Sequence, residues 1–300
     1  MSAVAFKRVA FIGIGNMGWP MAARLVGAGF HVAAYDVAPG HAAKFAAEVG
    51  GEAAASVAEA VKGADAIVTI LPTSRHVVDV ITPVRSQLAK GALVIDMTSG
   101  IPGVTQTLAA TLEADGVEMI DAPVSGGVAR AKTGELAIMT GGAPASVERA
   151  MPLLRAMGTT ITEVGAIGAG QAMKALNNLV SAGGFLIGVE ALLIGQRFGL
   201  DAERMVDVLN ASTGMNNSTQ KKFKQFVLSR AFNSNFGLDL MAKDLGIALE
   251  VAHDGGVSAP FAALCRELWL AAANRLGKGH DHTEMAKFSE EAAGLTLGQK

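Results

Sequence analysis

Gly170, Lys174 and Asn178 recur at intervals of four in Gly170-Gln171-Ala172-Met173-Lys174-Ala175-Leu176-Asn177-Asn178. On a helix this interval puts all three on one face. Ala169, Ala172, Met173, Ala175 and Leu176 make the setting of Lys174 apolar. A desolvated lysine binds its proton less tightly and can trade it near neutrality. Asn178 can hydrogen-bond a hydroxyl or a carboxylate, and glycine at 170 would leave room for a ligand beside the lysine. Read alone, the same residues also fit a snorkelling lysine and an ordinary helix asparagine.

A second segment, Asp121-Ala122-Pro123-Val124-Ser125-Gly126-Gly127-Val128-Ala129, follows an apolar run that reads as a strand. It should lie at the carboxyl edge of a sheet, where open α/β sheets bind ligands. Ser125, Gly126 and Gly127 expose successive backbone N–H groups unobstructed by side chains, a nest suited to a carboxylate. A plain loop is the other reading.

The third segment is Val9-Ala10-Phe11-Ile12-Gly13-Ile14-Gly15-Asn16-Met17-Gly18. An apolar run leads into Gly-x-Gly-x-x-Gly, a helical pattern follows, and Asp36 ends the next apolar run. Gly13 permits the tight turn, Gly15 lets the backbone approach a pyrophosphate, and Gly18 lets the helix pack on the strand. The helix N-terminus offers N–H groups and partial positive charge to the phosphates, and Asp36 can accept the adenosine ribose hydroxyls. The segment therefore predicts a dinucleotide site. A carboxylate at 36 repels a 2′-phosphate, and Val37 and Ala38 follow it with no arginine, so NAD is expected over NADP.

These segments must be held by a larger frame. Strands are predicted at Arg8–Ile12, His31–Tyr35, Ala66–Leu71, Leu93–Asp96, Glu118–Ile120, Leu136–Thr140 and Thr160–Glu163, with helical patterns between them. Short, largely apolar strands alternating with helices predict an N-terminal Rossmann doubly wound parallel sheet of the α/β class. After about Gly165 strand signals stop. Residues 168–198 read as one long helix or two nearly collinear ones, leading into an all-α C-terminal domain. Glycines 183, 184, 188 and 195 would cost that helix about 1 kcal/mol each relative to alanine, which is reasonable where another helix approaches closely. The expected domains are 1–164, binding the dinucleotide, and 165–300, helical and serving substrate and dimerisation.

Half of the 300 residues are hydrophobic, 17% are charged, and the net charge is −2, which argues against nucleic acid or an anionic membrane as the main partner. Met1–Ala5 lacks the charged start of a secretory leader, and the longest apolar stretches are read as interrupted before membrane-spanning length. The single cysteine, Cys265, excludes an internal disulfide, sits in a run that reads as a buried helix face, and fits a reducing compartment. A cytoplasmic protein is expected. His280-Asp281-His282 lacks a third ligand cluster nearby and is read as a solvated loop, so no metal is expected. The polar loop 210–220 suggests a substrate carrying a hydroxyl, amide or second carboxylate.

Together, GIGNMG at 13–18, DAPVSGG at 121–127, GQAMKALNN at 170–178 and KDLGIALE at 243–250 resemble the β-hydroxyacid dehydrogenase family, over nearly the whole chain. That family includes 3-hydroxyisobutyrate dehydrogenase, tartronate semialdehyde reductase and 2-(hydroxymethyl)glutarate dehydrogenase. The resemblance implies NAD-dependent interconversion of a short 3-hydroxy acid and its semialdehyde or 3-oxo acid, with Lys174 as acid/base. It implies that Ser125, Gly126, Gly127 and Asn178 hold the carboxylate and adjoining hydroxyl of a small substrate, and that Lys243 closes over cofactor and substrate. Phe236 matches the family's apolar lid position. Gly13, Ile14, Gly15, Asn16, Met17, Gly18, Asp36, Leu71 and Pro72 would contact the cofactor. In Asp96-Met97-Thr98-Ser99-Gly100-Ile101-Pro102 the two hydroxyl residues are swapped relative to the family pattern, so Ser99 would stand near the nicotinamide. His76 replaces a frequent asparagine. A homodimer or homotetramer is implied. The rival readings are an imine reductase, which usually lacks the lysine, and a non-catalytic dinucleotide-binding module on the same scaffold.

Overall fold

The computed structural model describes residues 6–299; the reading of Met1–Ala5 lies outside the described residues. Strands β1 (Arg8–Ile12), β2 (His31–Tyr35), β3 (Glu52–Ala53), β4 (Ala66–Thr69), β5 (Leu93–Asp96) and β6 (Glu118–Asp121) run parallel in the spatial order β3-β2-β1-β4-β5-β6. That is the dinucleotide-binding order, whose direction reverses between β1 and β4. Strands β4 and β5 are buried along their whole length, as helices on both faces require. Alternate side chains feed two cores. Val9, Phe11, Val68 and Ile95 pack with Met21, Leu25 and Phe45. Ala10, Ile12, Ile67 and Val94 pack with Val77, Ile81 and Leu112 on the other face.

Beyond β6 the sheet departs from the expected parallel pattern. β7 (Val124–Ser125), β8 (Leu136–Gly141) and β9 (Gly158–Gly165) complete nine strands, with β8 antiparallel to both β6 and β7 and parallel to β9. The short return from β7 to β8 makes the reversal possible, since a parallel crossover needs a dozen or more residues. β3 and β7 are two residues each, too short to leave a periodic signature.

The helices of this part are α1 (Gly18–Gly27), α2 (His41–Glu48), α3 (Val57–Val61), α4 (Ser74–Ile81), α5 (Pro102–Ala114), α6 (Gly127–Thr133) and α7 (Pro144–Met157). Ser56 and Thr73 cap α3 and α4 with their hydroxyls, and prolines open α5 and α7, where a missing N–H costs nothing.

The described chain falls into two compact units, 1–174 and 175–300. One uninterrupted helix, α8 (Ala169–Phe198), leads from the first into the second. The second unit continues with α9 (Ala202–Asn210), α10 (Asn217–Lys221), a π-helical turn at Phe223–Leu228, α11 (Leu238–Asp254), α12 (Pro260–Leu276) and α13 (Met285–Ala293). Its core gathers Phe185, Val189, Leu192, Phe223, Leu245 and Trp269. Two of the later glycines of α8 are explained by close packing: a methyl group on Gly188 would strike the Phe223 ring, and one on Gly195 would strike Met205.

By length and composition α8 could cross a bilayer, which corrects the expectation that every apolar stretch stops short. Of its most apolar 18-residue window, 56% is buried within the protein, as for a core helix.

Candidate active site

The end of β1 forms the dinucleotide fingerprint. Gly13 has φ +93°, and a methyl group there would run into the Ile70 carbonyl beyond β4. A methyl group on Gly18 would run into the Gly13 carbonyl, so both glycines are fixed by packing at the β1–β4 fork. Gly15 differs: a side chain there would meet no protein atom within 4 Å. Packing does not demand glycine at 15, whereas a phosphate group approaching the backbone does. The Ile14 N–H donates to Asp36 Oδ2 at 2.9 Å, and the Ala38 N–H donates to Oδ1 at 2.9 Å. These bonds fix the Asp36 carboxylate while leaving acceptor capacity for ribose hydroxyls. Asn16 is exposed, Met17 opens α1, and Val37 is 86% exposed beside the acid, with no basic residue next to it. The residues present fit a bound NAD.

Further along the same sheet edge, Leu71 donates its N–H to Thr98 Oγ1 at 3.0 Å, while Pro72 is exposed and Ser99 partly so. The swapped pair thus divides its work: Thr98 is buried and braces the strand end, and Ser99 is the more accessible hydroxyl. His76 shares a 2.7 Å hydrogen bond with Thr73 Oγ1 at the start of α4.

The 121–129 segment is not one loop. Val124 and Ser125 form β7, and Gly127 begins α6 after Gly126. Gly126 (φ +133°) and Gly127 (φ +66°) take backbone conformations that side chains resist, so the Ser125-Gly126-Gly127 amides turn directly into a helix N-terminus.

Lys174 is buried one turn inside α8, and the start of that helix is locked to the sheet. Asp121, at the end of β6, accepts the Gly168 N–H on Oδ1 at 2.6 Å and the Gln171 N–H on Oδ2 at 2.7 Å. The Gln171 amide donates to Asp96 Oδ2 at 3.0 Å. Asp96 Oδ1 accepts from the Thr69 hydroxyl at 2.9 Å and the Thr98 N–H at 3.0 Å. Burial pushes both acids up to about 6. At Asp96 the bonds from Thr98, Thr69 and Gln171 oppose the rise; at Asp121 the two amide bonds oppose it and the charge of Asp96 adds to it. A methyl group on Gly170 would run into the Met139 carbonyl and Asp121. Glycine there seats the helix on β8, correcting the view that it leaves ligand room beside Lys174.

In the second unit Asp244 gathers two of the expected site residues. The Asn178 amide donates to Asp244 Oδ2 at 2.5 Å, and Lys243 Nζ lies 3.3 Å from Asp244 Oδ1. Phe236 rests edge-on against His282, ring centroids 5.5 Å apart, and its carbonyl accepts the His282 N–H at 2.8 Å.

The polar loop is largely spent on its own structure. Asn216 and Thr219 form a reciprocal cap on α10, and Asn210 donates to the Thr219 carbonyl at 3.1 Å. Nor is residues 280–282 a solvated loop. His282 is only 4% exposed and stacks on Trp269, and Asp281 caps the turn that follows it. Burial, then the nearby Lys222 ammonium, pushes the His282 imidazole down to about 4. Among the described residues no three His, Cys, Asp or Glu side chains are grouped to hold a metal ion. Cys265 is buried on α12, and burial pushes its thiol up to about 11.

The first unit thus contains the fingerprint, Ser125–Gly127 and Lys174; in the second, Asp244 links Asn178 to Lys243. Asp96, Asp121, Gln171 and Asp244 were absent from the expected site, although each lies inside or beside one of its motifs.

Comparison with known proteins agrees. Residues 8–165 match the family described as the NAD binding domain of 6-phosphogluconate dehydrogenase. Residues 168–289 match the family described as NAD-binding of NADP-dependent 3-hydroxyisobutyrate dehydrogenase. The chain is 33% identical to 2-(hydroxymethyl)glutarate dehydrogenase of Eubacterium barkeri, over 97% of both chains. It is 35% identical to NAD-dependent L-serine dehydrogenase of Pseudomonas aeruginosa, over 88% of this chain and 91% of that one. The solved structure of Mycobacterium tuberculosis 3-hydroxyisobutyrate dehydrogenase with L-serine superposes with TM-score 0.88 at 34% identity, covering 95% of this chain and 99% of that one. Fold order, fingerprint, buried lysine and relatives converge, and the chain belongs to the β-hydroxyacid dehydrogenase family of NAD-dependent oxidoreductases.

Proposed function

We propose that this protein oxidises the hydroxyl of a short 3-hydroxy acid to the aldehyde or ketone, and catalyses the reverse reduction, with Lys174 as acid/base. The carrying observation is that Lys174 is buried on a helix whose first turn is pinned by Asp121, within the same compact unit as the fingerprint and the Ser125–Gly127 turn. The relatives' named substrates support the class. 2-(Hydroxymethyl)glutarate, 3-hydroxyisobutyrate and L-serine share a hydroxymethyl group on the carbon bearing a carboxylate.

When bound, NAD supplies the acceptor for the hydride leaving the carbinol carbon. Lys174 Nζ takes the hydroxyl proton as that carbon becomes a carbonyl. In reduction the Lys174 ammonium returns the proton and stabilises the developing alkoxide, an electrostatic effect favoured where water is excluded. The Ser125, Gly126 and Gly127 amides hold the substrate carboxylate, Asn178 holds the adjoining hydroxyl, and Lys243 and Phe236 bound the substrate. Residues 1–164 serve as the dinucleotide domain and 165–300 as the helical substrate domain.

Asp36 sets a preference for NAD over NADP. Val180, Ile187 and Ile194, exposed on α8 at intervals of seven, suit a helix packed on a second copy, as homodimer or homotetramer. The single buried thiol fits a cytoplasmic setting. The test is a screen of NAD and NADP reduction over short 3-hydroxy acids. Turnover of at least one with NAD is expected; reduction with none, or a tenfold preference for NADP, contradicts the reading or its cofactor part respectively.

A further inference from the structure

Lys222 is a partly buried cation with no carboxylate in ion-pair contact among the described residues. It follows α10 in the second unit and is partly buried, with its Nζ 3.1 Å from Ser181 Oγ and 5.9 Å from the centre of the Phe185 ring. Asp281 is near enough to act through its field, but its oxygens already accept from the Ser234 hydroxyl and from the N–H and hydroxyl of Thr283. His282 adds no charge, being held neutral at ordinary pH. Burial lowers Lys222 to about 8, with the charge of Asp281 opposing the fall. A desolvated ammonium with one hydroxyl and a ring face for partners is costly unless something else neutralises it.

A second, independent observation comes from Ser218. It is 1% exposed, its hydroxyl has no hydrogen-bond partner, and its carbonyl accepts the Lys222 N–H at 3.0 Å. That helical bond places Ser218 and Lys222 one above the other on the same face. Ser181 Oγ thus accepts from the Lys222 ammonium, and the unpartnered Ser218 hydroxyl lies on the same helical face as Lys222. Ser181 stands three residues beyond Asn178 on α8, about 4.5 Å along the helix and on the same face.

We propose that Lys222, with Ser181 and Ser218, forms a subsite for a second carboxylate, so that the preferred substrate is a 3-hydroxy acid with a dianionic skeleton. This rests on the dehydrogenase reading for its reacting end, which Asn178 would hold, and replaces loop polarity with one cation as the specificity determinant.

Two measurements on the full-length protein separate this proposal from the reading beneath it. Calorimetric titration uses glutarate, which has no hydroxyl to oxidise, with butyrate as the single-carboxylate control. Lys222→Met should weaken glutarate binding at least tenfold more than butyrate binding, and Lys222→Arg should restore part of the difference. Steady-state NAD reduction should show wild type favouring 2-(hydroxymethyl)glutarate over 3-hydroxyisobutyrate. Lys222→Met should cut that kcat/KM ratio at least tenfold, through KM of the dianion rather than kcat. Equal losses for both acids, or a wild type favouring the monoanion, overturn the subsite. Lys222-dependent glutarate binding without any turnover upholds the subsite and contradicts the dehydrogenase reading. If Lys222→Met does not fold, Ser181→Ala takes its place with the same ratio as readout.

Discussion

The first unit buries two carboxylates and the second half-buries a lysine, Lys222, and the two burials are built differently. Asp96 and Asp121 are surrounded by donors from Thr69, Thr98, Gly168 and Gln171, all supplied by the protein itself. Lys222 has one hydroxyl and an aromatic face. A buried charged group with a full set of partners works as a fixture, here the clamp on the helix that carries Lys174. One with an incomplete set leaves room for a ligand to complete it.

The contrast breaks first at Asp121. Asp121→Ala strands two buried N–H groups at the head of α8 and should cost about 3–5 kcal/mol in urea-induced unfolding, with Asp121→Asn milder. A change below about 1 kcal/mol would show that the clamp is idle.

The pH response of the acids is the next lever. Asp96 lies at about 6 when folded against 3.8 for the free group. The folded state therefore holds more protons between these values. The contribution of Asp96 is complete below pH 3.8, falls as pH rises to about 6, and is flat above. The fall amounts to about 3 kcal/mol, and Asp96→Asn should remove it from the stability-versus-pH curve. An unchanged curve would mean that Asp96 titrates alike in both states.

Gly170→Ala should cost about 2 kcal/mol by overpacking against Met139 and Asp121, read as a lowered melting temperature. A neutral outcome would return glycine 170 to the role of making room for a ligand. The smallest effect is expected at Asp36. Asp36→Ser removes a fixed negative charge and should shift the NADP-to-NAD ratio of kcat/KM about tenfold, or about 1.4 kcal/mol.

Much of this was legible in the residues. The glycine fingerprint, the Ser125–Gly127 turn and the Lys174–Asn178 interval are local patterns, and local patterns survive in one dimension. The clamp was not. Asp121 meets Gly168 across 47 residues and Asn178 meets Asp244 across 66, and periodicity carries no record of such pairings. In the polar loop, Asn216 and Thr219 cap a helix, a use of polar side chains that composition does not distinguish from ligand binding. His282 misled: set between Asp281 and Thr283 it reads as surface, yet Trp269 and Phe236 enclose it. Lys222 lies among other lysines at 221 and 224 and only burial sets it apart.

The most direct measurement is the rate of NADH formation from the best 3-hydroxy acid by wild type and Lys174→Ala, with NAD affinity followed by fluorescence titration. Loss of an acid/base group should lower kcat about 100-fold or more while NAD affinity stays within about threefold. A variant that retains most of its kcat would remove Lys174 from the chemistry and contradict the mechanism.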